Sequence, residues 1–192
     1  MTRALLIVDV QNDFTAGGAL GVDGGDAVAA ALTGYLARRA ADYGLIIASR
    51  DWHDAEGDNG GHFAVAPDEP DYVDTWPAHC VAGSEGAGYD PLFDTSAVTH
   101  HLYKGQGRPD YSMFQGETEA GETAAQLIVA HGVDAVDIAG IATDHCVRAS
   151  ALDALALGIG VRVLTGLVAG VAPESSRRSL AELEAAGAEL AA

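Results

Sequence analysis

A small set of side chains in this sequence has the types and spacing that chemistry needs. Cys146 lies in Gly140-Ile-Ala-Thr-Asp-His-Cys146, where an apolar strand hands over to a helix. A thiol in the first turn of a helix faces unpaired backbone N–H groups and the positive end of the helix dipole, which stabilise a thiolate. The same N–H groups can hold an oxyanion. Thr143 or Asp144 suits the N-cap of that helix. Free cysteine is also among the most buried residue types and often only packs, so both readings of Cys146 stand at this point.

Asp51 and His53 are two apart and leave one strand end on the same side. With His62 and His79 they make an oxygen-and-imidazole set suited to Zn, Fe or Mn; the bland alternative is a group of solvated loop residues. Asp9 closes an otherwise apolar run, which is costly for a carboxylate unless it is paired or used. A helix cap or a salt bridge with Lys104 would satisfy it. Lys104 is the single lysine beside nine arginines, and it too ends a strand. A carboxylate, an ammonium and a thiol at three strand ends form an acid–base and nucleophile constellation. Cys80, next to His79, reads as structural or as incidental to the metal cluster.

The elements that must position these groups alternate between strand and helix. Apolar runs predict strands at 4–10, 45–49, 99–103, 135–139 and 161–164, with a short last strand at 188–190. Helical periodicity predicts helices at 26–43, 118–131, 144–157 and 173–186, with Gly44, Gly132 and Gly158 as stops. Residues 50–95 are rich in Asp, Gly, Pro and His without a sustained period, and an irregular stretch of that length in a compact domain is usually functional. Alternating apolar strands and helices imply a parallel sheet covered on both faces. Ligands of such sheets sit beyond the carboxyl ends of the strands, where Asp9, Asp51, Lys104 and the 140–146 turn all fall.

The length, 192 residues, suits one domain spanning 1–192. The 48% hydrophobic composition excludes wholesale disorder. Ten basic against 28 acidic residues give a net charge of −18. That balance argues against a nucleic-acid binder and against docking on an anionic membrane. Two cysteines cannot build a disulfide scaffold. The start has the look of neither a signal peptide nor a membrane span, so a reducing cytoplasm is the expectation.

The chain resembles the nicotinamidase/pyrazinamidase branch of the isochorismatase-like cysteine hydrolases nearly end to end. The resemblance is carried by Ile7-Val-Asp-Val-Gln-Asn-Asp-Phe14, Arg50-Asp-Trp-His53, Trp76-Pro-Ala-His-Cys-Val81, Tyr103-Lys-Gly105, Tyr111-Ser112 and the 140–146 string. It implies a three-layer αβα fold with a mostly parallel six-stranded sheet. It implies Asp9, Lys104 and Cys146 as a catalytic triad, and the N–H groups of Ala142 and Cys146 as an oxyanion hole. Asp51, His53, His62 and His79 are implied as ligands of one divalent transition metal: Zn, Fe or Mn. Phe14, Trp76, Tyr111 and Ile141 are implied at the substrate, with a cis Ile141–Ala142 peptide. The implied reaction is hydrolysis of nicotinamide to nicotinate and ammonia through a thioester, with pyrazinamide as a further substrate. The setting is NAD salvage, by a monomer or small homo-oligomer with no nucleic-acid or membrane partner. Three competing readings are a related amidohydrolase acting on a ureido or carbamoyl amide, a metal-water hydrolase in which Cys146 only packs, and a catalytically silent metal-binding domain.

Overall fold

In a computed structural model describing residues 2–192, six strands form one sheet in the order β3-β2-β1-β4-β5-β6. The strands are β1 (Thr2–Val8), β2 (Leu45–Asp51), β3 (His100–Lys104), β4 (Val133–Ile141), β5 (Gly160–Ala169) and β6 (Glu189–Ala191). Every pairing is parallel. The helices are α1 (Gly25–Arg39), α2 (Ala124–Ala130), α3 (Arg148–Ala156) and α4 (Pro173–Ala185). Among the described residues, no helix is long and apolar enough to cross a membrane.

Strand periodicity divides the core. Ala4, Leu6 and Val8 of β1 pack with Leu127 of α2, Ala151 of α3 and Leu183 of α4. Leu5 and Ile7 point the other way and pack with Val28, Leu32 and Leu36 of α1. β2 divides likewise, Leu45 and Ile47 joining the first cluster and Ile46 and Ala48 the second. Alternation in a buried strand thus serves two apolar layers, as a parallel sheet between helices requires. Of the two carboxylates in β4, Asp134 is exposed near its start, whereas Asp137 is fully buried in its middle. It is paired with Arg3 and Arg162 at 2.5 Å each and accepts from the Tyr43 hydroxyl at 2.6 Å.

Several boundaries differ from the sequence expectation. β1 stops at Val8 because Asp9 turns into the left-handed region, at φ 47°. The helix expected at 118–131 begins only at Ala124. Thr123 and Gln126 form a reciprocal capping box there, after a tight turn in which Thr118 N donates to Glu122 O. Gly44 is not a helix stop: α1 gives way to a short 3-10 turn, and Gly44 N donates to Arg3 O at 3.0 Å beside β1. Gly132 and Gly158 do end their helices, with φ of 58° and 77°. Residues 52–99 hold no strand or helix, in keeping with the irregular stretch read from composition.

Gly140 marks where β4 crowds β1. Its φ is 117°, and a Cβ there would lie 2.0 Å from Val8 O and 2.6 Å from Val8 N. Both contacts are backbone, so neither can yield cheaply. Gly140→Ala is therefore expected to lower the melting temperature by roughly 6–12 °C, the equivalent of about 3 kcal/mol of overpacking and backbone strain. Thermal unfolding followed by circular dichroism checks it, and an unchanged midpoint would show that the strands can separate freely at this point.

Candidate active site

Four adjacent strands, in the order β3-β2-β1-β4, each deliver one group at their carboxyl ends: Lys104, Asp51, Asp9 and Cys146. Strand order reverses between β1 and β4, the place where open α/β sheets form a ligand crevice. Asp51 and Lys104 are direct register partners. Lys104 is fully buried. Its Nζ lies 2.9 Å from Asp9 Oδ2 and 3.7 Å from Cys146 Sγ. It also donates to Asp51 Oδ1 and, at 3.3 Å, to Asp110 O. Burial works against the ammonium, but Asp51 and Asp9 outweigh it and push its pKa well above the lysine range.

Asp9 and Cys146 are tuned by the same charges. Asp9 Oδ1 accepts from Ser49 Oγ at 2.7 Å. Asp9 Oδ2 is buried and in no hydrogen bond of good geometry, despite its closeness to Nζ. Burial raises the Asp9 pKa and Lys104 only partly offsets the rise, which makes the carboxylate a stronger base. One ligand atom each of Asp9, Asp51 and Cys146 lie within 4.8 Å of one another. Burial pushes the Cys146 thiol up; Lys104 opposes the rise and the two carboxylates add to it. The net push is toward the protonated thiol, the form from which a base must take a proton. The local geometry gives part of the reason. Cys146 sits in a π-helical turn (Thr143–Val147), and regular α-helix begins only at Arg148.

That turn is pinned by a residue with a different role from the one expected. Neither Thr143 nor Asp144 caps α3. The Asp144 carboxylate instead accepts from Val171 N at 2.9 Å, from Ala172 N at 3.2 Å and from Ser175 Oγ. It fastens the Cys146 turn to the start of α4. The Ile141–Ala142 peptide is cis. The Ile141 side chain is fully buried with the α1 cluster and does not reach the cavity, whereas Ala142 borders it. Ile141 follows Ala139 onto the α1 side of β4.

The histidines converge beside Asp51. His53 Nδ1 lies 2.8 Å from Gly105 O and His79 Nδ1 lies 2.8 Å from Pro77 O. Donation to those carbonyls leaves each Nε2 lone pair free, 3.7 and 3.8 Å from Asp51 Oδ2. His53 Nε2 and His62 Nδ1 are buried without a partner, and one ring nitrogen of each of the three histidines lies within 4.8 Å of the others. Unpartnered buried acceptors are expensive, and their convergence fits a cation. Burial and the neighbouring imidazoles push the His62 pKa down to about 3 and also lower His79, so these rings are neutral and ready to ligate. Burial raises Asp51, but Lys104 and the histidines outweigh it and the carboxyl falls below its ordinary value. The loop before His62 is held by Asn59, whose side chain accepts from Asp54 N at 2.8 Å and donates to Asp54 O at 3.0 Å.

Both groups border one pocket of about 270 Å³, below the ~300–1,000 Å³ of sites for drug-sized ligands. Phe14, Trp76 and Tyr111 line it, together with Asp51, His62, His79 and Cys146. Trp76 Nε1 donates to Tyr111 Oη at 2.9 Å. His145 braces that pair, edge-on to Trp76 at 5.2 Å and stacked on Tyr111 at 5.9 Å. Gln11 escaped the sequence reading. Its side chain accepts from Asp51 N at 2.8 Å and donates to Asp51 O at 2.9 Å, which fixes the carboxylate's backbone. Ser49, Asp110 and His145 escaped it too, since each acts through a contact distant in sequence or through its backbone.

Residues 3–192 match the Isochorismatase domain family. The nicotinamidase/pyrazinamidase of Mycobacterium tuberculosis (strain ATCC 25618 / H37Rv) is 47% identical over 188 residues, covering 98% of this chain and 97% of that protein. The crystal structure of the Pyrococcus horikoshii pyrazinamidase in complex with zinc is 36% identical with a TM-score of 0.80, covering 99% of this chain and 98% of that one. The L. infantum protein PnC1 in complex with nicotinate is 31% identical with a TM-score of 0.83, covering 98% and 91%.

Gly105 ties the histidine cluster to Lys104. Its φ is 86°, and a Cβ there would lie 2.5 Å from His53 Cε1 and 2.7 Å from Nδ1. Gly105→Ala is expected to displace the ring and weaken zinc binding about 10–100-fold, the usual cost of disturbing a ligand's support. Competition with a chromophoric chelator on metal-free protein measures it. Equal affinity in the two proteins would show that His53 takes no part in holding the ion.

Proposed function

Because the chain belongs to the isochorismatase domain family, we propose that it is a cysteine amidohydrolase that converts nicotinamide to nicotinate and ammonia, with pyrazinamide as a second substrate, in cytoplasmic NAD salvage. One observation carries the reading: Cys146 lines a small aromatic pocket together with Asp51, His62 and His79, and behind it lies the buried Lys104–Asp9 pair, with Nζ 3.7 Å from Sγ.

The chemistry follows from the arrangement. The Cys146 thiol gives its proton to Asp9, and Sγ attacks the amide carbonyl carbon. Lys104 stabilises the negative charge that moves onto sulfur. The oxyanion forms against the backbone N–H groups of Ala142 and Cys146. Asp9 then passes its proton to the amide nitrogen, the C–N bond breaks and ammonia leaves. Asp9 takes a proton from an incoming water, whose oxygen attacks the thioester carbonyl. The C–S bond breaks, sulfur recovers a proton, and nicotinate departs. Phe14, Trp76 and Tyr111 hold the flat ring by aromatic contact. Asp51, His53, His62 and His79 would hold one divalent transition ion, with zinc the first to try because of the mixed oxygen and imidazole donors. When bound, the ion supplies a Lewis-acid site that orients a heteroaromatic ring nitrogen.

An ammonia-release assay on nicotinamide tests the activity. Cys146→Ala is expected to lose about 10³-fold or more in turnover while keeping the fold, and Asp9→Asn to lose a comparable amount. The double variant should be little worse than either, because groups that act as a unit are not additive. Full turnover in Cys146→Ala would transfer the chemistry to a metal-bound water. Benzamide has the same shape without the ring nitrogen and is expected to be a far poorer substrate than nicotinamide. Equal rates on the two would make the metal site purely structural.

A further inference from the structure

Of the seven large apolar side chains that are exposed among the described residues, Tyr72 and Val171 line the pocket. Tyr72 is 60% exposed, and its backbone takes the left-handed conformation, φ 58°. A bulky residue in that conformation is a real outlier, and such outliers concentrate at functional sites. The turn that carries it is fixed. Asp71 Oδ1 accepts from the N–H groups of Val73, Asp74 and Thr75, each at 2.9 Å. Thr75 Oγ1 accepts from Asp71 N at 3.0 Å, and Tyr72 N donates to Thr75 O at 3.0 Å. The next residue is Trp76, whose N–H donates to His62 O at 2.9 Å. The Tyr72 ring meets the Trp76 ring edge-on, with centroids 6.3 Å apart.

The same short segment therefore sets the ring-binding Trp76, the His62 ligand and the Tyr72 ring in one frame. Val171, which also lines the pocket, is held through its N–H by Asp144, two residues from Cys146. The bonds around Asp71 fix the turn from which the Tyr72 ring projects, and its exposed face is apolar surface that a bound ring would remove from water.

Resting on the amidohydrolase reading above, we propose that Tyr72 is a specificity-determining residue: its ring forms the outer edge of the pocket, gains contact with a small aromatic carboxamide, and excludes carboxamides whose ring bears a bulky apolar substituent directed toward the mouth. Steric exclusion by one ring is a discrimination of modest size, about 10–200-fold.

The test compares nicotinamide with nicotinamides carrying a methyl, tert-butyl or phenyl group at each free ring position. In the parent protein, kcat/KM is expected to fall as the substituent grows. Tyr72→Ala is expected to raise KM for nicotinamide about 10-fold with kcat within about 3-fold, the pattern of lost ground-state contact. For at least one ring position it should also shrink the penalty on the phenyl derivative by about 10-fold or more. Tyr72→Phe, which keeps the ring, should restore both values toward those of the parent. Penalties unchanged by Tyr72→Ala at every position would overturn the proposal. Calorimetric binding of the same amides in the Cys146→Ala background reads the rim without turnover, and the same shift in Kd ratios is expected. A parent protein that binds these amides but releases no ammonia overturns the hydrolase reading, while the Kd ratios still decide the role of Tyr72.

Discussion

The Lys104 ammonium is fully buried between the carboxylates of Asp9 and Asp51, and the geometry of the whole site follows from what that charge requires. Without it, two carboxylates with oxygens within 4.8 Å of each other would repel by roughly 3–4 kcal/mol at an effective dielectric constant near 20. With it, both remain buried while the Asp9 pKa is held up by desolvation and that of Asp51 is held down. The ammonium in turn would be untenable without them, since a buried charge that loses its partner costs several kcal/mol. Each group is therefore a condition for the others. A compact ammonium suits the position because its donors can reach Asp51, the Asp110 carbonyl and the neighbourhood of Cys146 Sγ at once.

Asp51 extends the same interaction into the histidine cluster. One oxygen faces Lys104 and the other faces His53 and His79. Two carboxylates and one ammonium leave a single negative charge beside three imidazoles, which is a setting for a cation. Cys146 and the histidine cluster thus border one pocket and share a charge balance through Asp51 and Lys104. The parallel sheet makes this possible by ending four neighbouring strands at one level. The irregular segment after β2 then brings His62, Trp76 and His79 back over those ends.

Much of this was legible in the sequence because strand ends announce themselves. Asp9 after ALLIV, the single lysine at the end of a strand, and the Asp51–His53 pair each broke a pattern in a way that demanded a reason. Alternating strands and helices likewise indicated a parallel sheet between two helical layers. What escaped depends on tertiary context. The helix expected from residue 118 starts six residues late because Thr123 and Gln126 cap each other. Cys146 looked like a helix N-terminal thiol, but it lies in a π turn where burial and two carboxylates prevail over backbone dipoles. Gln11 and Asp144 act by clamping backbone N–H groups 40 and 27 residues away in sequence, and no local period records such contacts. Which side of the sheet Ile141 faces, that of α1, likewise emerges only from the fold.

The account rests on a bond between the substrate acyl group and Cys146, and mass spectrometry of enzyme quenched with acid during a single turnover of nicotinamide measures that bond directly. The account predicts that the peptide containing Cys146 gains the mass of a nicotinoyl group, that this species rises and decays as nicotinate appears, and that it is absent from Cys146→Ala. Nicotinate forming throughout the turnover with Cys146 unmodified at every quench time would contradict it.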